Sequence, residues 1–325
     1  MTAGVREVRG VPYYTADTDI DPLRTLYLYV PEALFNPRIC IRSKWRVVLL
    51  VFVHGGAWRT RDKSKHVGIA RRWAAPSLSS STSTSEKDEA GTFIIVAVPN
   101  YRLSPAVKHP AHTDDIRAAL QFLLARLYLY LPGGDPQLSL EYSSVWITGH
   151  SASVHIAASL VLDTPNITTS PESKRDDSIL SQITGVVGIE GIYDVDRLKS
   201  FPSDFYRGFV KQAYGTRLPA DSGPERPAER LPYNDVKAAK YILPPSGTAG
   251  SLLWAIIHSP RDDLVDLVQA ECKYSHLCRL YGEEEHSERT GSGTRVVLED
   301  KRVCGGHDEV LESEELAAFM HETVL

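Results

Sequence analysis

The pentapeptide Gly149-His150-Ser151-Ala152-Ser153 constrains this chain more than any other stretch. A strand-like run, Ser144-Val145-Trp146-Ile147-Thr148, leads into it, and a helix-like run from Val154 to Leu162 follows. A serine at a sharp strand-to-helix turn has its hydroxyl lifted clear of the sheet and faces the N-terminus of the next helix. Backbone N–H groups and the helix dipole there stabilise negative charge on a reacting oxygen. Two positions after the serine such a turn usually has Gly, because strand and helix pack closely; this chain has Ser153. Serine is small, so the turn is expected to survive, and Ser153→Gly to preserve or raise activity.

The flanking segments supply what a serine nucleophile needs. Arg46-Val47-Val48-Leu49-Leu50-Val51-Phe52-Val53 is a continuous apolar strand that ends in His54-Gly55-Gly56-Ala57-Trp58. A Gly-Gly loop has little bulk, so its N–H groups approach an oxyanion closely. Gly55 and Gly56, with Ala152 after the nucleophile, are the expected donors, and His54 braces the loop. Taken alone, the same Gly-Gly pair reads as an ordinary tight turn. Leu252 to Ile257 reads as a late buried strand opening into His258-Ser259-Pro260-Arg261-Asp262-Asp263. A carboxylate at a strand's C-terminal end suits the acid of a triad. Asp262 and Asp263 compete for that role; folds with such a nucleophile turn commonly place the acid three positions before a buried Val, which favours Asp262 before Val265, and the rival role for either is a helix N-cap. Arg295 to Asp300 is a short strand, and Gly305-Gly306-His307-Asp308 follows it. His307 there is the expected base, oriented by the acid. His150 and His155 either line the pocket or pack, while His258, His276, His286 and His321 lack this strand-and-loop context.

Strand signals at Leu26–Val30, Arg46–Val53, Phe93–Val98, Val145–Thr148, Val186–Ile189, Leu252–Ile257 and Arg295–Leu298 alternate with helical patterns. That order predicts an α/β fold: a mostly parallel central sheet with helices on both faces. With these motifs the chain resembles the fungal kynurenine formamidases of the α/β-hydrolase superfamily, from about His54 to about Leu311. The resemblance is carried by His54-Gly55-Gly56-Ala57-Trp58, Asn100-Tyr101-Arg102-Leu103-Ser104-Pro105 and Gly149-His150-Ser151. Gly191-Ile192-Tyr193-Asp194, His258-Ser259 with Asp262, and Gly306-His307-Asp308-Glu309-Val310 add to it. It implies hydrolysis of N-formyl-L-kynurenine to L-kynurenine and formate in tryptophan degradation, towards NAD biosynthesis. It also implies Ser151, Asp262 and His307 as the triad, with Trp58 and Tyr193 as candidate substrate contacts.

At 325 residues with 42% hydrophobic content the chain suffices for one large domain, 1–325. A cap-like insertion is expected at 199–251, with Phe201, Phe205, Tyr206, Phe209 and Tyr214 lining a pocket or packing the cap. A flexible loop is expected at 77–90, and 164–181 is similar in composition. The net charge of -5 argues against nucleic-acid or anionic-membrane partners. Residues 1–10 show no secretory signal and no run is long enough to span a bilayer, so a cytoplasmic location is expected with Cys40, Cys272, Cys278 and Cys304 reduced. No cofactor is expected, and no metal: His109-Pro110-Ala111-His112 with Asp114 and Asp115 is the nearest to a ligand cluster, and helix capping explains Thr113 and Asp114 more simply. The expected partner is the small-molecule substrate; a homodimer stays open. Two rival functions remain: a broad-specificity carboxylesterase on the same fold, and a non-catalytic receptor or scaffold.

Overall fold

A computed structural model describes residues 4–14, 19–35, 46–75, 92–131, 142–162, 181–200, 204–215, 236, 239, 252–282 and 295–324. Among these, eight strands form one sheet in the order β1-β2-β4-β3-β5-β6-β7-β8. They are β1 (Val5–Pro12), β2 (Thr25–Pro31), β3 (Arg46–Val53), β4 (Thr92–Pro99), β5 (Tyr142–His150), β6 (Ile183–Ile189), β7 (Leu253–Ile257) and β8 (Val296–Glu299). β2 runs antiparallel to both β1 and β4; every pairing from β4 through β8 is parallel.

The central strands are apolar at every position because both faces of the sheet are covered. In β3, Val47, Leu49, Val51 and Val53 pack into one core, and Val48, Leu50 and Phe52 into the other. The first core is closed by α2 (Ala111–Arg126), α3 (Ala152–Val161) and α6 (Leu267–Tyr281), the second by α1 (Val67–Ala74) and α7 (Glu314–Val324). On α1 the buried set is Ile69, Ala70, Trp73 and Ala74, one stripe at helical spacing. α4 (Val195–Ser200) and α5 (Asp204–Tyr214) lie between β6 and β7 in the chain.

The seven strands expected from sequence all form, with shifts of a few residues at their ends. β1 was not expected: Arg6, Glu7 and Arg9 break up its apolar residues, as suits an edge strand with one neighbour. α2 begins at Ala111 after Pro110, with no side-chain cap, so Thr113 and Asp114 are not capping residues. They lie inside the first turn; Asp114 pairs with Arg117, and buried Asp115 holds Arg102. His112 meets the Ser104 hydroxyl at 3.0 Å, so this cluster braces the Arg102-Leu103-Ser104 segment. The expected loop at 77–90, residues 164–180 and most of the expected cap at 199–251, Phe201 included, lie outside the described residues, as do Cys40 and His286.

Candidate active site

The parallel strands β3, β5, β6, β7 and β8 all end at one edge of the sheet, and the chemistry-bearing residues follow those ends. Ser151 stands between β5 and α3 with φ 58 and ψ -125, left-handed backbone that a β-carbon disfavours. Its N–H donates to the Ile189 carbonyl at 2.9 Å, and its carbonyl accepts from Val154 and Ile192, so the strained turn is held from three sides. The chain also turns tightly at Gly149, where a β-carbon would come within 2.7 Å of the Val154 nitrogen.

Asp262, not Asp263, reaches His307: its Oδ2 lies 2.7 Å from Nδ1. Asp263 is exposed. The Asp262 Oδ1 accepts the N–H groups of Leu264 and Val265, so the carboxylate also fixes its own turn. The N-cap of α6 is Asp266, which removes the rival role for Asp262. The loop of His307 is tied to the β7 end by Ser259, whose hydroxyl donates to the Gly305 carbonyl at 2.7 Å. The His150 ring lies tilted against that of His307 with ring centres 4.8 Å apart, and its Nε2–H donates to the His307 carbonyl. Burial, reinforced by His307, pushes His150 down to about 3, so it is a neutral brace at pH 7.

Sequence reasoning missed Glu190, at the end of β6. Its side chain is wholly buried, and its backbone sits at φ 49. One carboxyl oxygen accepts the Ser259 N–H at 2.9 Å, and the carboxyl faces that of Asp262, an oxygen of each lying within 4.8 Å of the other. Two buried carboxyls this close do not both ionise readily. Burial, then the hydrogen bond and charge of Asp262, push Glu190 up to about 10, so Glu190 carries the proton. Burial would also raise Asp262, but hydrogen bonds from His307 and Glu190 outweigh it and hold that carboxylate below its usual range. His258 belongs to this group, contrary to expectation: it is buried 3.7 Å from Asp262, and its Nε2–H donates to the Val265 carbonyl. A carboxyl directly after a strand and before Gly191 is the signal that could have found Glu190.

The His54-Gly55-Gly56 loop lies against the nucleophile. A β-carbon on Gly55 would meet His150 at 2.9 Å and the Ser151 Cβ at 3.1 Å. Gly56 has φ +110, and a β-carbon there would lie 2.1 Å from the Thr60 carbonyl oxygen. His54 Nδ1 meets the Gly55 carbonyl at 2.8 Å, and its ring stacks on Tyr101. Among the described residues the N–H groups of Gly55, Gly56 and Ala57 make no backbone hydrogen bond. That of Ala152 opens α3, where it has no partner within the helix.

Ser151 and His307 line one cavity together with Gly56. No hydrogen bond joins the Ser151 hydroxyl to His307 among the described residues, a separation common before substrate binds. Phe205, Tyr206 and Phe209 of α5 form an aromatic wall. Trp58 and Tyr193, the candidate substrate contacts, are not on the cavity wall. Trp58 is buried among His155, Phe209 and Tyr214. Tyr193 is buried under the sheet end, where its hydroxyl occupies the space a Gly188 β-carbon would need. His155 and Tyr214 likewise pack rather than line.

Ser153 is more than a small filler. Its buried hydroxyl is 2.6 Å from the Val53 carbonyl and accepts the His150 N–H at 2.9 Å. It therefore ties the nucleophile turn to the strand that ends in the Gly-Gly loop. The expectation for Ser153→Gly is reversed: the change leaves a buried donor and acceptor unpaired, at a cost of about 1–3 kcal/mol. Urea unfolding is expected to show that loss, with lower turnover; unchanged stability would mean the hydroxyl is not bonded as described.

Donor atoms of His150, His307 and Asp308, and of Glu190, Asp262 and His307, fall within 4.8 Å of one another. Protein partners already engage them: His307 Nδ1 faces Asp262, Asp308 pairs with Arg61, and Glu190 accepts the Ser259 N–H. These clusters read as hydrogen-bond networks rather than ligand sets. Among the described residues no helix is long and apolar enough to cross a membrane.

The family model BD-FAE matches residues 41–277. The kynurenine formamidase of Meyerozyma guilliermondii is 29% identical over 253 residues, covering 76% of this chain and 77% of that protein. That of Scheffersomyces stipitis is 27% identical over 304 residues, covering 85% and 98%. Among solved structures, a carbohydrate esterase from gut microbiota superposes with TM-score 0.60 at 16% identity, covering 99% of this chain and 96% of that one. Esterase B of Lactobacillus rhamnosis, with a tributyrin phosphonate inhibitor, gives 0.59 at 20% identity, covering 98% and 85%. These structures share the α/β-hydrolase fold.

Proposed function

The chain belongs to the BD-FAE family, and from that premise we propose that it is a serine hydrolase cleaving N-formyl-L-kynurenine to L-kynurenine and formate, in tryptophan degradation. The carrying observation is the strained Ser151 opening on the same cavity as the Asp262–His307 pair. Similarity to the fungal formamidases supports the substrate class, and the aromatic wall of α5 suits an aryl leaving group.

With Asp262 accepting from Nδ1–H, the His307 Nε2 is left as a lone pair. Ser151 Oγ attacks the formyl carbon while Nε2 takes its proton. The N–H groups of Ala152, Gly55 and Gly56 receive the negative oxygen. His307 then returns the proton to the amide nitrogen, the C–N bond breaks, and the aryl amine leaves. Water, deprotonated by His307, attacks the formyl ester; formate departs and Ser151 regains its proton.

The close packing of Gly55 on Ser151 and His150 leaves little room beside the reacting carbon. Values of kcat/KM for formyl, acetyl and butyryl amides of the same aryl amine are therefore expected to fall along the series. Each methylene forced into filled space costs on the order of 1–3 kcal/mol. A butyryl derivative processed faster than the formyl one would assign the site to a general carboxylesterase instead.

A further inference from the structure

Two arginines line the cavity, Arg59 and Arg61, and they differ in one respect that matters for recognition. Arg61 is neutralised: its Nη1 donates to Asp308 Oδ1 at 2.7 Å, and Nη2 bonds the second oxygen. Arg59 has no carboxylate partner among the described residues. Its guanidinium carbon instead lies 5.1 Å from the Phe205 ring centre and 5.8 Å from that of Phe209. Attraction to a ring uses the cation's charge and occupies none of its N–H groups with an acceptor, which leaves them for a planar, bidentate one.

The backbone aims this side chain deliberately. Ala57 and Trp58 have φ 52 and 59, two successive left-handed residues directly after the Gly-Gly loop. They are held by the Arg59 and Thr60 N–H groups donating to the Gly56 carbonyl and by Ser104 donating to that of Trp58. The result sends Trp58 into the core and leaves Arg59 on the cavity wall. Strain of this kind persists only where surrounding contacts enforce it. The described cavity thus combines an aromatic wall, an internally neutral Arg61–Asp308 pair and one uncompensated positive charge at the edge of that wall. His150 adds no charge, since burial keeps it neutral.

We propose that Arg59 is a specificity-determining residue that binds a carboxylate on the leaving-group side of the substrate. The site would accordingly select aryl amides or esters whose ring bears an acidic side chain. This deepens the formamidase assignment and rests on it, since N-formylkynurenine carries such a carboxylate beyond its ring.

The test compares N-formylkynurenine with its decarboxylated analogue, which keeps the aryl formamide and the amine. The readout is the ratio of their kcat/KM values in wild type, Arg59→Met and Arg59→Lys. A charge-assisted bidentate contact is expected to favour the acid by roughly 10- to 100-fold, carried mainly by KM because the carboxylate lies away from the reacting bond. Arg59→Met collapses the ratio towards one. Arg59→Lys keeps the charge without the planar fork, and falls between. A ratio unchanged by Arg59→Met, or a loss common to both analogues, overturns the proposal. A second pair, phenyl acetate and 4-acetoxyphenylacetate, separates the two assignments. If wild type turns over these esters but neither formamide, the formamidase reading fails while the Arg59 assignment is judged from the ester ratio alone.

Discussion

Exchange of Ser151 for alanine is expected to remove turnover by a factor on the order of 10⁴ or more, since catalytic groups of this kind act as a unit. The fold should survive, because the turn is held through main-chain bonds to Ile189, Val154 and Ile192 rather than through the hydroxyl. His307→Ala should fail to a similar degree, and the double variant should be scarcely worse than either single one. Circular dichroism checks the fold, and product absorbance checks the rate. A serine-directed phosphonate followed by mass spectrometry should place the adduct on Ser151. An adduct elsewhere, or near wild-type turnover by the alanine variant, would sink the nucleophile assignment.

Asp262→Asn is expected to lower kcat by about 10³–10⁴, because an amide N–H turned to His307 Nδ1 enforces the wrong tautomer. The carboxyl above it answers differently. Glu190 stays protonated beside Asp262, so Glu190→Gln keeps a neutral group able to donate there and should change kcat only a few-fold. Stability against pH tests the protonation directly. Unfolded, Glu190 ionises near 4.5; folded, it keeps its proton to about 10. The folded state holds the extra proton across that window, so this group's contribution to stability is full below 4.5 and is lost as pH rises. Lys273, which burial depresses to about 7, acts in the opposite direction above that pH. The difference between wild type and Glu190→Gln is therefore the informative quantity, and it should increasingly favour the variant from pH 5 to 9. A flat difference curve would mean that Glu190 is ionised in the fold. A fast Asp262→Asn variant would remove Asp262 from the machinery.

Much of this arrangement is legible in the sequence because β3, β5, β7 and β8 each end in a sequence that cannot continue a strand. His54-Gly55-Gly56, Ser151 and Gly305-Gly306-His307 announce themselves through glycine and polar residues after apolar runs. The spacing to Val265 that is common in such folds points to Asp262 over Asp263, and Asp262 is the carboxylate that reaches His307. What escaped depends on partners far off in the chain. Glu190 acquires its role only when β6 lies beside β7 and brings it to Ser259 and Asp262. Ser153 looked like a tolerated size change because Val53, its acceptor, belongs to a neighbouring strand. Trp58 and Tyr193 were misread because the residue type suits a pocket wall and a core equally; only the turns around them decide.

The order in which the chain is made gives the split origin of this site a further meaning. The turn bearing Ser151 emerges in mid-chain, while the loop of His307 follows β8, the last strand to pair at its edge of the sheet. Parallel strands pair only across long crossovers, and such non-local contacts form late and slowly. On the proposed assignment, a nascent chain that has made only the Ser151 turn carries its nucleophile without the base or the acid that orients that base. On that assignment, the serine is expected to stay inert until the final strand docks.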